Sequence, residues 1–232
     1  MPVSCRSVVA VLAVALVAPV SASAAGRPAA RPPTDAALVL RIERGAKVQI
    51  RRVPAGSTLA VASWRTPFGS VRRLRVVARR GDWFAVESDV LGNGVVGWVP
   101  RTAAVRLERP RFSLEADLSE RLLTVREGTR VVYRRRVSIG VSTSPTPSGR
   151  FHVTDRISGE PWGLGCCILV FSGTQPRLPA GWRGGNRLAV HGRPRTARPV
   201  GVASSAGCLQ ATEATLRDLT AIPLGTPVVI HP

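Results

Sequence analysis

Val190–Gln210, VHGRPRTARPVGVASSAGCLQ, places one imidazole and one thiol in the same stretch, His191 and Cys208, with sixteen residues between them. A cysteine attacks as its thiolate, and a free thiol with a pKa of about 8.5 is mostly protonated near neutrality, so a nearby imidazole is the usual activator. Gly192 follows the histidine, and Ser205, Ala206 and Gly207 lead into the cysteine. Small residues there allow a sharp turn and a close approach to a bound peptide, and consecutive amide N–H groups at such a turn can receive a developing oxyanion. The pattern suits acyl transfer. The plainer alternative is a cysteine buried as a small hydrophobe and a histidine satisfied within a strand.

Three stretches in the same order resemble one family. H-G at His191-Gly192, then S-x-G-C at Ser205–Cys208, is similar to the signature of the L,D-transpeptidase catalytic domain, the YkuD-type fold of bacterial cell-wall enzymes. Upstream, Thr146-Pro147-Ser148-Gly149-Arg150-Phe151 resembles its T-P-x-G-x-F segment, and downstream Pro223–Ile230 resembles its closing strand. The resemblance runs over residues of about 111 to 231, and co-linear motifs are more specific than any one alone. It implies a mainly β fold: a β-rich catalytic domain over 108–232 with a short helix after Cys208.

The resemblance also implies roles. Cys208 is the expected nucleophile toward a peptidoglycan stem peptide, His191 the base, and the Gly192 carbonyl the group that orients the imidazole. The N–H groups of Gly207 and Cys208 form the expected oxyanion hole. Ser205, Gln210, Arg193 and Trp162 are the candidate substrate-binding residues, and carbapenem β-lactams the expected inhibitors. No cofactor or metal is implied; His152, His191 and His231 show no ligand spacing with the cysteines. Ala206 stands where many relatives carry histidine, and Gln210 where they commonly have arginine or asparagine. The rival readings are a non-catalytic wall-binding protein with a degenerate transpeptidase domain, and an L,D-carboxypeptidase.

The N-terminus reads as an export signal over residues 1–24: Arg6, an apolar run from Val8 to Val20, and the small-residue site Ala22-Ser23-Ala24. The protein is therefore expected outside the cytoplasm, in the cell wall or secreted, and peripheral to the membrane at most. Without Cys5, the mature chain keeps Cys166, Cys167 and Cys208, an odd number, so one thiol should stay free in an oxidising compartment. Cys208 is the one assigned. Cys166 and Cys167 read as packing residues of a buried strand. The net charge of +19 comes almost wholly from arginine, Lys47 being the lone lysine. It favours anionic wall polymers as partners. Nucleic acid is not expected, because the arginines are scattered and no recognisable module accompanies them.

Residues 25–36, rich in Pro, Ala and Arg, read as a disordered linker. Residues 37–107 read as short β segments between turns: Lys47 to Val53, Leu74 to Val77, Trp83 to Val86 and Val95 to Val99. Gly81-Asp82-Trp83 and Gly97-Trp98-Val99-Pro100 loosely resemble bacterial SH3-like modules, implying a small β-barrel. Past a joint at residues 108–111, Phe112 to Ala116 should pair with Leu122 to Arg126, followed by Arg130 to Ile139. A strand over Cys166 to Ser172 lies between loops carrying Trp162 and Trp182. Leu188 to His191 should deliver the imidazole to a strand end, and Thr212-Glu213 should open a helix burying Leu216 and Leu219.

Overall fold

A computed structural model of the protein describes residues 1, 37–178, 185–193 and 199–232. The expected signal segment and linker, and Trp182, lie outside the described residues.

Period-two alternation builds the first sheet. Its strands are β1 (Leu38–Ile42), β2 (Lys47–Arg51), β3 (Thr58–Ser63), β4 (Arg73–Arg80), β5 (Trp83–Glu87), β6 (Gly97–Pro100) and β7 (Val105–Glu108). They pair antiparallel in the order β3-β2-β6-β5-β4-β1-β7. Leu40, Ile42, Val48, Ile50, Leu74, Phe84, Val86 and Val99 supply its core. The small barrel expected here is a seven-stranded sheet whose edge strands β3 and β7 are not paired with each other among the described residues. β1, β3 and β7 add to the segments read from sequence. β2 ends at Arg51, short of Val53.

The second sheet begins as the sequence suggests, with β8 (Phe112–Asp117), β9 (Leu122–Glu127) and β10 (Arg130–Arg136). Ile139 is split off into a short β11 (Ile139–Gly140). Next come β12 (Gly149–Ile157), a 3₁₀ turn at Glu160–Trp162, β13 (Ile168–Thr174), β14 (Arg187–His191), β15 (Ala203–Ser205), β16 (Leu209–Gln210), helix α1 (Glu213–Leu219) and β17 (Pro227–His231). The main sheet runs β10-β9-β8-β17-β12-β13-β14-β16, while β11 pairs with β15. The C-terminal strand thus lies in the middle, parallel to β8 and antiparallel to β12. Thr212 caps α1 by accepting the Thr215 N–H, and Leu216 and Leu219 pack into the main core with Leu169, Phe171, Leu188 and Val190.

Cys166 and Cys167 are not in a strand. β13 starts at Ile168, and the chain bends at Cys166 after Gly165, whose φ of +86° favours glycine. Cys167 is buried, whereas Cys166 is half-exposed.

Both sheets belong to one compact unit. The Arg72 guanidinium grips Asp89 in a fork, Nε to Oδ1 at 2.9 Å and Nη2 to Oδ2 at 3.1 Å, with side chains only 5% and 2% exposed. From β14, the Arg187 Nη1–H donates to the Asp89 carbonyl at 3.0 Å. The Asn93 side-chain amide pairs with both backbone groups of Thr174: it accepts the N–H at 2.8 Å and donates to the carbonyl at 2.7 Å. The Thr66 hydroxyl donates to the buried Asp155 carboxylate, and the His152 Nε2–H donates to the Arg73 carbonyl at 2.8 Å.

His152 has no solvent exposure, and burial holds its pKa down at about 4. Between that value and the ordinary 6.5, the unfolded chain binds a proton that the native protein refuses. Stability therefore falls as pH drops through this window, by roughly 3 kcal/mol across all of it. Urea unfolding at neutral and mildly acidic pH should show this slope in the wild type and a shallower one in His152→Gln.

Candidate active site

Alternation along β14 sends Leu188 and Val190 into the main core and puts Ala189 and His191 on the opposite face. β16 lies parallel to β14, with Val190 opposite Leu209 and His191 opposite Gln210. Paired positions share a face. Cys208, two residues before Gln210, accordingly packs with Ile168, Val170 and Ala189 on the side that carries His191. His191, Cys208, Ser205, Ala206 and Gln210 line one cleft together with Gln175, Leu178, Gly185, Asn186 and Arg187.

The imidazole is held from behind. Its Nδ1 lies 2.5 Å from the Gly192 carbonyl, which can only accept, so Nδ1 carries the hydrogen and Nε2 the lone pair. Gly192 is pinned in turn, its N–H donating to the Leu164 carbonyl at 2.7 Å. A Cβ on Gly192 would meet that carbonyl oxygen at 2.6 Å, so the position excludes a side chain. The loop carrying Trp162 therefore buttresses the histidine's backbone. Trp162 itself is 62% exposed and is not among the residues lining the cleft; Arg193 is not among them either.

The turn before Cys208 is fixed by Ser205, whose Oγ accepts the Gly207 N–H at 3.1 Å and donates to the Cys208 carbonyl at 2.6 Å. The Gly207 amide, expected to serve an oxyanion, is thus engaged by Ser205 in this resting site. Gly207 has φ of +122°, and a Cβ there would lie 2.1 Å from Gln175 Nε2. Ser144 and Gln175 support the turn from below: the Ser144 hydroxyl donates to the Ala206 carbonyl at 2.7 Å, and Gln175 Nε2 donates to the Pro145 carbonyl at 2.6 Å. The Thr146-Pro147 segment is a brace behind the cysteine turn, with the Thr146 hydroxyl accepting the Gly140 N–H at 2.8 Å. Neither Gln175 nor Ser144 carries a sequence signal, since each acts through geometry made by distant segments. The Ser204 hydroxyl donates to Gln210 Oε1 at 3.1 Å, leaving the amide nitrogen of Gln210 as a donor.

The Cys208 thiol donates to the Arg187 carbonyl at 3.7 Å; among the described hydrogen bonds none joins it to His191. Burial pushes the Cys208 thiol up, opposed more weakly by the Ala189 backbone amide, and burial pushes His191 down, opposed by its bond to Gly192. Both shifts favour the uncharged pair. Burial thus works against a thiolate–imidazolium pair in this site. Alkylation of Cys208 by iodoacetamide, followed by mass across pH, should therefore rise along one limb with a midpoint above that of an ordinary cysteine. A reactive plateau at acidic pH would mean a thiolate–imidazolium pair instead.

Among the described residues, no group of three or more His, Cys, Asp or Glu side chains is placed to hold a metal ion, and no helix is long and apolar enough to cross a membrane.

No curated protein matches the chain. Similar solved structures include L,D-transpeptidase 3 from Mycobacterium tuberculosis in complex with a faropenem-derived adduct, at 17% identity over 70% of this chain and 92% of that one, TM-score 0.42. An L,D-transpeptidase from Mycobacterium smegmatis is similar at 16% identity over 80% of this chain and 99% of that one, TM-score 0.42. Another from Xylanimonas cellulosilytica is similar at 24% identity over 53% of this chain and 62% of that one, TM-score 0.38. The L,D-transpeptidase catalytic domain family, YkuD, matches residues 111–230, more than half of the chain and every residue of the cleft, and to that family the chain belongs.

Proposed function

We propose that the protein is an exported peptidoglycan L,D-transpeptidase acting through a thioester on Cys208. One observation carries this reading: a thiol and an imidazole with its lone pair on Nε2 are presented on the same sheet face into one cleft. The thiol leaves the Arg187 carbonyl and attacks the amide between the third stem residue and the terminal D-alanine. Sulfur bonds to the carbonyl carbon, His191 Nε2 takes the thiol proton, and the same nitrogen returns it to the departing D-alanine amine as the C–N bond breaks. The Cys208 N–H is the first oxyanion donor, and the Gly207 N–H joins it by releasing Ser205. Donors of this kind contribute on the order of 3 kcal/mol each.

An amine on a neighbouring stem then attacks the thioester, passes its proton through His191, and expels the thiol; water in its place gives carboxypeptidase activity. Ser205 and Gln210 bind substrate in the cleft. Arg193 and Trp162 can reach substrate only beyond the cleft lining, so their contribution is secondary. A β-lactam enters the same path, its ring amide opening onto sulfur and the ring nitrogen taking the proton. Export by the segment over residues 1–24 places this chemistry at the wall, and the charge of +19 draws the protein to anionic wall polymers there.

Incubation with a carbapenem should add one drug mass, absent in Cys208→Ala. His191→Gln should slow acylation by roughly 100-fold or more at unchanged unfolding midpoint. No adduct at any pH would support a non-catalytic wall binder. Release of D-alanine without cross-links, when acceptor stems are supplied, would support a carboxypeptidase. Binding to isolated walls should weaken as salt is raised, and binding insensitive to salt would remove the electrostatic account.

A further inference from the structure

The bend at Cys166 has a chemical consequence. Successive side chains of an extended strand point to opposite faces, which keeps adjacent thiols apart. Here the two sulfurs converge to 3.3 Å, with the Cys166 thiol donating to Cys167 Sγ and the Cys167 thiol donating to the Leu216 carbonyl at 3.4 Å. Cys166 is half-exposed and its N–H donates to Glu213 Oε2 at 3.2 Å, so one sulfur is accessible and the other is backed by α1.

We propose that Cys166 and Cys167 form a thiol–disulfide exchange site that closes a vicinal disulfide when it meets a low-molecular-weight disulfide. The Cys166 sulfur attacks one sulfur of the external disulfide, giving a mixed disulfide and one released thiol. Cys167 sulfur then attacks Cys166 sulfur, forming the ring and releasing the second thiol. The two protein thiols lose two electrons and two protons, and the external disulfide gains them. Cys166, the more exposed of the two, is the first to react, while burial and the neighbouring Cys166 push the Cys167 thiol up to about 12.

Adjacent Cα atoms are about 3.8 Å apart, below the usual span of a disulfide of about 4.4–6.8 Å, so the ring is strained and readily reduced, as labile disulfides are. The strain has a short path to the base. Gly165 precedes Cys166, and the carbonyl of Leu164 holds the Gly192 N–H, whose own carbonyl orients His191. Ring closure withdraws the Cys167 hydrogen from Leu216 and turns the 165–167 backbone, drawing Leu164 away from Gly192. Oxidation thereby lowers acylation by Cys208, a coupling that rests on the function proposed above.

The test has two arms. The full chain carrying Cys208→Ala is incubated with excess oxidised glutathione and mapped by mass. The peptide holding Cys166 and Cys167 should lose about 2 Da, the mass of the two hydrogens given up, and dithiothreitol should restore it. The same protein should bind one equivalent of phenylarsine oxide, and Cys167→Ala should lose both responses. A glutathione adduct that stays on Cys166 without ring closure, or thiols that remain free at every ratio, overturns the exchange site. In the second arm, with Cys208 present, carbapenem acylation should slow tenfold or more on ring closure, since a displacement of about 1 Å near the chemistry costs up to about 100-fold. Ring closure with an unchanged rate overturns the coupling to His191. A chain that never acylates, reduced or oxidised, overturns the transpeptidase reading and leaves the first arm to stand alone.

Discussion

Asp89 is the point on which the two sheets depend. Its carboxylate is almost wholly out of water, where Arg72 meets it with two hydrogen bonds while Arg187 approaches from the other sheet, Nη2 to Oδ2 at 3.9 Å. Buried charges of this kind are expensive to form and more expensive to leave half-made. Arg72 and Asp89 pair within the first sheet, and docking of the second adds Arg187, whose Nη1–H reaches the Asp89 carbonyl at 3.0 Å. Arg187 opens the strand that carries His191, and its carbonyl receives the Cys208 thiol. The N-terminal sheet is thereby part of what holds the strand that carries His191.

The chemistry of the cleft follows from how little of it is side chain. The His191 imidazole is oriented by a backbone carbonyl, that peptide is fixed by another carbonyl, and the Cys208 thiol rests against a third. Backbone groups approach this closely only where no Cβ intervenes, which is why Gly192 admits no substituent; at Gly207 the Gln175 side chain and a φ of +122° exclude one. Enclosure by strands also sets the protonation state. With neither partner well solvated, burial favours the neutral thiol and the neutral imidazole over the ion pair.

The turn segments show how a second layer is recruited. The Ser144 and Ser205 hydroxyls bond to the cysteine turn and Gln175 packs against Gly207 while donating to Pro145; Ser144 and Gln175 lie thirty or more residues away from the turn. These residues have ordinary local contexts. Their value comes from where β11, β13 and β15 bring them.

Much was legible from the chain itself. Period-two alternation fixed the β8–β9 hairpin and the strand delivering His191, because side-chain direction in a strand depends only on parity. Thr212 and the leucines after it marked the lone α-helix among the described residues, because capping and 3.6-residue spacing are local. His191, Gly192, Ser205, Gly207 and Cys208 were singled out by residue type and by the resemblance of H-G and S-x-G-C to the transpeptidase signature, not by periodicity. What the chain could not declare was anything made between segments remote in sequence. The bend that takes Cys166 and Cys167 out of their apparent strand, the outward Trp162, the Ser205 claim on the Gly207 amide, and the Asp89–Arg187 contact joining two sheets all arise from packing and long-range pairing. Local preference and periodicity determine which element a residue enters. Only closure of the tertiary structure, by removing water and setting one backbone against another, decides which polar groups must find each other.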